Sequence, residues 1–375
     1  MNIWIDGYEA NVSQRLGSGQ VAFELLKNLE KLDQKNTYTI LLPDHPLDDL
    51  PVARIGWEYR ILKPRRLWTR IALPLALYSA RQKPDVFFSP THYGPWPCPV
   101  RQVVTVFDLS YLYFPKMFKR ADLYKLQHWT KDSVRRASHV ITISESSKND
   151  LISFYHLAKK VVTVAYPGYD PNNFYPVDDK QKINQILNKY SIEGAYVVFI
   201  GTIQPRKNLK RLINAFVKIE NLKLVVVGKI TGEGKQAWMY QDILDLPKQL
   251  SIEEKIIFTG YVPNEDLLYL VNGATAYILP SLWEGFGIPV VEAMACGIPV
   301  IVSNVSSLPE AVGNAGLLVD PASVDQIEQA IRLISSDKKL WDKKSKEGLA
   351  QAKNFSWQKM AKQVLKILEK VGANA

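Results

Sequence analysis

The sequence predicts an α/β protein made of two Rossmann-like, doubly wound domains. The chain has 375 residues, about twice the length of an average domain, and 47% of them are hydrophobic, which is enough for large buried cores. Short runs rich in β-branched residues alternate with stretches of helical periodicity, the pattern of a parallel sheet covered by helices. Residues 166–176, rich in proline, glycine and asparagine, interrupt this alternation. We therefore expect two domains, joined by a linker and facing a central cleft.

Residues 1–172 are expected to form the N-terminal domain. The predicted strands of this half are 2–6, 38–42, 86–88, 102–106, 139–143 and 161–164. The predicted helices are 21–32, 67–81, 122–137 and 145–155.

Residues 173–354 are expected to form the C-terminal domain, and residues 355–375 a final amphipathic helix that crosses back to the first. The predicted strands are 196–200, 224–227, 256–258, 276–279 and 300–302. The predicted helices between them include 209–217, 265–271 and 289–295. Doubly wound sheets bind ligands at the carboxyl ends of their strands, so the residues that follow these strands are the first candidates for a site.

The charge of the chain is positive and uneven. The net charge is +10, and residues 1–172 hold 23 lysines and arginines against 16 aspartates and glutamates. A basic N-terminal half could meet substrate phosphates, an anionic membrane or nucleic acid, or be an ordinary solvated surface. The sequence contains no recognised RNA or DNA module, so nucleic acid is not an expected partner.

Cysteine content and hydropathy indicate the compartment. The two cysteines, Cys98 and Cys296, are far apart and have no metal-ligand spacing, which is typical of a reducing environment. No signal peptide is evident at the N-terminus. The apolar run at 71–78 is far shorter than the roughly 20 residues of a membrane-spanning helix. We expect a cytoplasmic protein, either free or peripheral on the inner face of the membrane.

The segment 280–297 has the strongest chemical signature. A predicted strand ends at Pro280, a glycine-containing loop follows, and a helix begins near Pro289. The backbone N–H groups of Phe286, Gly287 and Ile288 would then lie at a helix N-terminus, which is an anion site suited to a diphosphate. The two glycines of the loop, Gly285 and Gly287, permit close approach of a ligand. The alternative is a tight strand-to-helix turn with one capping carboxylate.

Two glutamates flank this loop. Glu292 is expected in the first turn of the helix, where a carboxylate can accept hydrogen bonds from two ribose hydroxyls. Glu284 precedes the phosphate site and could reach the hydroxyls of a sugar, and Ser281 lies beside it at the strand end. Two glutamates separated by seven residues around Gly-Phe-Gly resemble the signature of the family 4 glycosyltransferases, which have the GT-B fold. The resemblance implies a nucleotide-sugar donor and transfer with retention of anomeric configuration.

A second motif, Gly-Thr-Ile-Gln-Pro-Arg-Lys-Asn at 201–208, opens a predicted helix. Arg206 and Lys207 could neutralise a diphosphate leaving group, and cations placed against the helix dipole themselves suggest an anionic ligand. In the family, the matching basic pair contacts the donor phosphates. Many members have arginine where Thr202 stands. The subgroup with this sequence resembles enzymes named as mannosyltransferases, so GDP-mannose is the first expected donor, ahead of UDP-glucose and UDP-N-acetylglucosamine.

Two other loops join the donor site through the resemblance. Gly260 and Tyr261 follow a predicted strand, and in the family this loop contacts the nucleotide base. Gly17 and Gly19 resemble the first glycine loop of the family, which lies near the donor phosphates and the acceptor. A dinucleotide fingerprint would need a third glycine where Ala22 stands, so NAD binding is not expected.

Acceptor binding is expected at two strand ends of the N-terminal domain. Asp108 follows the predicted strand 102–106 and could orient the acceptor or the sugar, or else cap the next turn. Many relatives have a histidine at the position of Phe107. His92 lies at another strand end and is expected to line the acceptor site.

No cofactor or metal is expected, because the chain contains no Asp-x-Asp motif and no His/Cys cluster with metal spacing. The expected reaction is metal-independent transfer of a hexose to a saccharide or lipid-linked acceptor. We expect front-face attack, in which a donor phosphate oxygen takes the acceptor proton. A sugar-nucleotide 2-epimerase of the same fold remains an alternative.

Two basic stretches allow contact with an anionic membrane. Residues 63–83 and 116–136 combine lysines and arginines with aromatic residues and leucines. This composition fits a membrane-surface helix or an ordinary core-facing helix with a basic outer face, and Pro74 would kink either one.

Overall fold

A computed structural model describes residues 1–228 and 241–373, which form two compact units. The first unit comprises Met1–Gly168 and the chain from Ser356 onward, and the second is Tyr169–Phe355. The predicted boundaries were after residues 172 and 354, within a few residues of these divisions. Each unit is described by itself below.

The first unit is built on a parallel sheet of seven strands within the described residues. Its strands are β1 (Asn2–Asp6), β2 (Thr37–Leu42), β3 (Trp57–Ile61), β4 (Val86–Ser89), β5 (Gln102–Val106), β6 (His139–Thr142) and β7 (Val162–Val164). Their order is β3-β2-β1-β4-β5-β6-β7. The sequence did not predict β3, a charged edge strand in which only Trp57 is fully buried.

Helices cover this sheet. They are α1 (Ser18–Leu32), α2 (Leu73–Ser79), α3 (Ser110–Tyr113), α4 (Arg120–Arg136) and α5 (Glu145–Tyr155). The single predicted helix 67–81 is instead a π-helical turn, Trp68–Ala72, followed by α2. Pro74 is the second residue of α2 and directly follows the π-helical turn, and the Thr69 carbonyl of that turn accepts the Trp96 N–H at 3.0 Å.

The second unit has a parallel sheet of six strands among the described residues. Its strands are β8 (Tyr196–Ile200), β9 (Lys223–Val227), β10 (Ile256–Gly260), β11 (Ala276–Leu279), β12 (Val300–Ser303) and β13 (Leu317–Val319), in the order β10-β9-β8-β11-β12-β13. The helices are α6 (Lys180–Lys189), α7 (Leu209–Ala215), α8 (Gln241–Leu244), α9 (Leu246–Gln249), α10 (Asn264–Asn272), α11 (Ile288–Ala295), α12 (Leu308–Val312), α13 (Val324–Ser336) and α14 (Lys338–Ala352).

The last helix, α15 (Trp357–Gly372), packs against α1 of the first unit. Ser356 caps it by accepting the N–H of Lys359, and Asn36 donates to the Glu369 carboxylate at 3.3 Å. The returning chain passes close to Gly168, where a Cβ atom would lie 2.2 Å from the Trp357 nitrogen. Only glycine fits this contact between the two segments of the unit. No helix among the described residues has the length and apolar character needed to cross a membrane.

Each sheet has one point at which the strand order reverses. In the first sheet it lies between β1 and β4, and in the second between β8 and β11. The connections after these strands turn to opposite sides of the sheet and leave a crevice at the carboxyl ends, where doubly wound proteins bind ligands.

Candidate functional site

Three glycines, Gly201, Gly228 and Gly260, lie at the carboxyl ends of β8, β9 and β10, and we call this surface the glycine floor. Gly201 donates its N–H to Val227 at 2.9 Å, and Gly228 donates to Gly260 at 2.9 Å. A Cβ atom on Gly228 would lie 2.1 Å from the Gly201 oxygen, so the backbones approach more closely than any other residue allows. Gly260 has a φ of 73° and open space on its Cβ side.

Two cations share one carboxylate beside this floor. Lys207 Nζ lies 2.7 Å from Glu284 Oε1, and Arg206 Nη1 lies 3.2 Å from Glu284 Oε2. All three side chains are mostly buried, and Arg206 also donates to the Trp283 carbonyl. Burial raises the pKa of Glu284, but the charges of Lys207 and Arg206 outweigh it and lower the pKa to about 2. The cluster therefore keeps a net positive charge at neutral pH.

The position of this cluster follows from the strand order. Lys207 comes after β8, in a turn of 3-10 helix at Pro205–Lys207, and Glu284 comes after the neighbouring strand β11. A Cβ atom on Gly201 would lie 3.6 Å from Lys207 Nζ, so the ammonium group lies next to the glycine floor. The sequence predicted Arg206, Lys207 and Glu284 as site residues but not their contact with one another.

Asn208 connects the loop that follows β8 to the loop that follows β11. It adopts the left-handed conformation, with φ 63°, between the 3-10 turn and α7. Its buried Nδ2 donates to the carbonyls of Pro280 at 2.9 Å and Pro321 at 2.7 Å, and its Oδ1 accepts from Arg211 at 3.0 Å. These bonds link the ends of three elements and use all the polar atoms of the side chain.

Serine hydroxyls hold the loop that follows β11. Ser303 donates to the carbonyl of the buried Ser281 at 2.6 Å, and Ser307 donates to the Glu284 carbonyl at 2.8 Å. The Glu284 N–H in turn donates to Ser306 Oγ at 3.0 Å. The backbone that carries Glu284 is therefore fixed on both sides.

The same loop leads into helix α11 through Gly285, Phe286 and Gly287. Gly287 has φ 98°, a backbone conformation that favours glycine. A Cβ atom there would also lie 2.7 Å from a Leu308 methyl carbon, so there is no space for a larger residue. The buried Phe286 ring packs edge-on against Phe355, 5.1 Å between centroids. The helix begins at Ile288, one residue before the predicted start at Pro289.

Glu292 lies in the second turn of α11, not the first turn as predicted. The helix begins at Ile288, so Glu292 is its fifth residue. Burial, with a smaller effect from the charge of Asp170, raises the pKa of Glu292 to about 8. The side chain is therefore mostly protonated at pH 7, when it can donate a hydrogen bond as well as accept one.

The remaining predicted donor residues of the second unit lie at the same edge. Thr202 follows Gly201 directly and is partly buried. Tyr261 follows β10 and is exposed. The structure thus gathers these residues along the carboxyl ends of β8, β10 and β11.

In the first unit, Gly17 and Gly19 belong to the start of α1. The predicted helix began at residue 21, with both glycines in a preceding loop, whereas α1 begins at Ser18. Gly17 is the N-cap, with φ 52° and ψ −109°, a combination that favours glycine. A Cβ atom on Gly19 would lie 3.0 Å from the Glu9 oxygen.

His92 and Asp108 come together at the ends of β4 and β5. Asp108 Oδ1 accepts the Ser110 N–H at 2.8 Å, a local turn that begins α3. His92 Nε2 accepts the Phe107 N–H at 3.4 Å, with the two rings 5.5 Å apart. Burial lowers the pKa of His92, and the Asp108 charge only partly opposes this. A neutral imidazole that accepts at Nε2 carries its proton on Nδ1.

Sequence comparison identifies the family. The family described as "Glycosyl transferases group 1" matches residues 179–352, and "Glycosyltransferase Family 4" matches residues 16–173. The O-antigen chain mannosyltransferase B of Escherichia coli is 32% identical over 310 residues, which cover 82% of this chain and 78% of that protein. The chain belongs to the family 4 glycosyltransferases.

Solved structures place this glycosyltransferase among proteins of the GT-B fold, as the sequence predicted. Sucrose-phosphate synthase from Thermosynechococcus elongatus matches with a TM-score of 0.77 at 18% identity, covering 100% of both chains. Anabaena Alr3699/HepE in complex with UDP and glucose matches with a TM-score of 0.76 at 18% identity, covering 98% of this chain and 99% of that one. At such identities the likeness establishes the fold alone.

Sequence reasoning missed two residues of this glycosyltransferase's strand edges. One is Asn208, which links the loop after β8 to the loop after β11 through its hydrogen bond to the Pro280 carbonyl. The other is Asp6, at the end of β1, whose Oδ1 accepts from Trp68 Nε1 at 2.9 Å and from the Tyr8 N–H at 3.0 Å. Burial raises the pKa of Asp6 to about 7. An acidic residue at the carboxyl end of a buried strand was a usable signal, because that is where the sheet binds ligands.

Proposed function

We propose that this glycosyltransferase transfers mannose from GDP-mannose to a saccharide or lipid-linked acceptor, with retention of configuration and without a bound metal. The observation that carries the proposal is the cluster of Lys207, Arg206 and Glu284 beside the glycine floor. Two cations on one carboxylate leave positive charge where the second sheet reverses its strand order. A donor diphosphate would be attracted there, and its growing charge would be stabilised as the glycosidic bond breaks.

The proposed roles of the other donor-side residues follow from their positions. The N-terminus of α11, with Phe286, Gly287 and Ile288, would add backbone donors to the diphosphate. Glu292 would bind the ribose hydroxyls, and Tyr261 with Gly260 would border the base. Glu284 would hold the two cations in place and could still accept a sugar hydroxyl, because a carboxylate has about four acceptor positions.

Retention is proposed to follow from front-face attack. The bond between the anomeric carbon and the diphosphate oxygen breaks, and a bond to the acceptor oxygen forms on the same face. The acceptor proton passes to an oxygen of the departing diphosphate, so the products are the mannoside and GDP. In the first unit, His92 and Asp108 would position the acceptor. We infer that the reaction occurs on the cytoplasmic side of the membrane.

Mannose is favoured as the transferred sugar because the 32% identical relative is named a mannosyltransferase. UDP-glucose and UDP-N-acetylglucosamine are the competing donors. The test is nucleoside diphosphate release from GDP-mannose, UDP-glucose and UDP-N-acetylglucosamine, in the presence of a chelator and a mannose-containing oligosaccharide. We expect the fastest release from GDP-mannose and an α-linked product by NMR. Faster turnover of a UDP sugar would contradict the donor, and an inverted product would contradict the mechanism.

A further inference from the structure

We propose that the outward face of the helical segment at 67–83 is a docking surface for an anionic lipid bilayer. We call it the leucine–arginine face. Its apolar centre is formed by Leu67, Ile71, Leu75 and Tyr78, and its basic rim by Arg65, Arg66, Arg81 and Lys83. The face contains none of the proposed donor-site residues.

The centre of the face is apolar where water-exposed helices are normally polar. Leu67, Ile71, Leu75 and Tyr78 are exposed by 55%, 37%, 59% and 54%. Their spacing of four, four and three residues places them on one side of the π-helical turn and α2. The opposite side, which includes Trp68, Leu73 and Leu77, is buried in the core with Phe87. The protein core covers only one of the two apolar sides of this helix. The other side would be stabilised by contact with a second apolar environment.

The rim of the face is entirely positive. Residues 63–83 contain six lysines and arginines and no aspartate or glutamate. Arg65 pairs with Asp44, whereas Arg66 and Arg81 form no ion pair within residues 1–228 and 241–373. Lys83 Nζ donates to the Leu77 and Tyr78 carbonyls and lies 5.6 Å from the Tyr78 ring centroid. This lysine therefore sits at the border of the apolar centre, with its charge at the end of α2.

A neighbouring basic surface extends the face. The Arg70 guanidinium lies 4.8 Å from the centroid of Trp129 on α4, and Arg136 lies 4.2 Å from that of Trp96, whose side chain is exposed. The exposed basic residues of this region are Lys116, Lys119, Arg120, Lys131 and Arg135. This surface is basic on balance, and it also holds the half-exposed Asp132, which lies 4.0 Å from Arg70 Nη2 and 3.9 Å from Arg136 Nη1.

An apolar stripe with a basic rim matches the chemistry of an anionic bilayer. The leucines would enter the boundary between headgroups and acyl chains, and the arginines would meet lipid phosphates. The segment is too short to span a bilayer and would lie in the interface plane. Self-association through this face would bring two basic rims together, which electrostatic repulsion disfavours.

The test is cosedimentation of the full chain with vesicles of phosphatidylcholine alone or mixed with phosphatidylglycerol. We expect binding only to the mixed vesicles, weakened by salt. The apolar variant Leu67→Ser/Ile71→Ser/Leu75→Ser and the charge variant Arg66→Glu/Arg81→Glu should each reduce the partition coefficient by at least about tenfold.

Matched controls come from the second unit. Leu318→Ser/Leu333→Ser removes two leucines that are each 47% exposed, and Lys339→Glu/Lys346→Glu reverses two exposed charges on α14. Both controls should bind like the wild type, and melting temperatures should show that all variants fold. Equal binding by all variants, or no binding to mixed vesicles at low salt, overturns the proposal. Loss of a concentration-dependent oligomer without any lipid binding would overturn it in favour of a protein interface.

Discussion

The points where the two sheets reverse their strand order carry opposite chemistry. Between β8 and β11, Lys207 and Arg206 share the Glu284 carboxylate beside a floor of glycines. Between β1 and β4, the strand ends present the buried carboxyl of Asp6 and, after the neighbouring strand β4, the neutral imidazole of His92. In the proposed function, the edge between β8 and β11 binds the diphosphate, and the edge between β1 and β4 binds hydroxyl groups through hydrogen bonds.

The two sheets share one architecture and differ in the residues placed just after their strands. We propose that these residues let the same architecture bind two different ligands. Both sheets are parallel and both reverse order once. The fold fixes where a ligand binds, and the loop residues determine which ligand it is. The five predictions below test the assignment of each edge.

The largest effect is expected for Lys207→Ala. Removing the ammonium group beside Gly201 should lower kcat by roughly 10²- to 10³-fold, the usual loss when one stabilising charge is taken from a transition state. Nucleoside diphosphate release measures it. Lys210→Ala is the matched control, because Lys210 is an exposed lysine on α7 that pairs with Asp242. Similar activity of the two variants would contradict the cationic role.

Glu284→Gln should lower the free energy of unfolding by about 3 kcal/mol, because it leaves two mostly buried cations without their shared carboxylate. The pKa of Glu284 is lowered to about 2, below its ordinary value of 4.5. Its contribution is therefore complete above about pH 5 and is lost as the pH falls toward 2. Urea titrations of both proteins should converge at low pH. A constant difference across that range would contradict this account.

Asn208→Ala should lower the free energy of unfolding by about 2–3 kcal/mol, because the carbonyls of Pro280 and Pro321 lose a buried donor. Asn221→Ala controls for backbone strain, since Asn221 is exposed and has φ 56°. Thermal and urea unfolding compare the two variants. Equal losses would mean that the left-handed conformation matters and the two hydrogen bonds do not.

Glu292→Gln should change the pH dependence of stability. The pKa of Glu292 is raised to about 8, so the folded state binds this proton more tightly than the unfolded state. The wild type therefore loses stability as the pH rises from about 5 to about 8, and the variant does not. At pH 9 the variant should be more stable by about 1–3 kcal/mol, with little difference at pH 5.

The same substitution should weaken donor binding at high pH despite the gain in stability, because only one of the two terminal atoms of the amide accepts hydrogen bonds, whereas both oxygens of the ionised carboxyl do. Calorimetric titration at pH 9, above the pKa of about 8 of Glu292, measures the affinity. Parallel stability curves, or unchanged donor affinity, would contradict the assignment of Glu292.

The smallest effect is expected for Asp108 in the first unit. Asp108→Ala removes the bond to the Ser110 N–H and should lower the free energy of unfolding by about 1 kcal/mol, the usual net contribution of one hydrogen bond. Asp108→Asn keeps an acceptor and should restore the melting temperature. If Asp108 also positions the acceptor, Asp108→Asn will keep a raised KM for the oligosaccharide. Full recovery of both would leave Asp108 a structural role only.

The sequence predicted most of the framework, because buried parallel strands are continuous apolar runs. It missed β3, where Glu58 and Arg60 interrupt the apolar pattern on an edge strand, and it missed the short strand β13. Helices α13 and α14 also escaped prediction, although the Ser323 hydroxyl caps α13 and isoleucines recur along its buried face.

Local spacing predicted candidate site residues, among them the glycine loops and the paired glutamates. It missed Asn208 and Asp6, and it did not predict the contacts between loops. The bond between Lys207 and Glu284 joins residues 77 positions apart and depends on β8 lying beside β11. The opposite pKa shifts of Glu284 and Glu292 depend in the same way on which charges each carboxyl meets. These are properties of three-dimensional packing, which sequence spacing does not contain.

The most direct test of the charged edge of the second sheet is calorimetric titration of the protein with GDP-mannose, UDP-glucose and UDP-N-acetylglucosamine, with a chelator present. We predict micromolar binding of GDP-mannose that is strongly weakened by Lys207→Ala and unchanged by Lys210→Ala. Absence of binding to every nucleotide sugar, or binding that requires a divalent metal, would contradict the assignment of this edge to the donor.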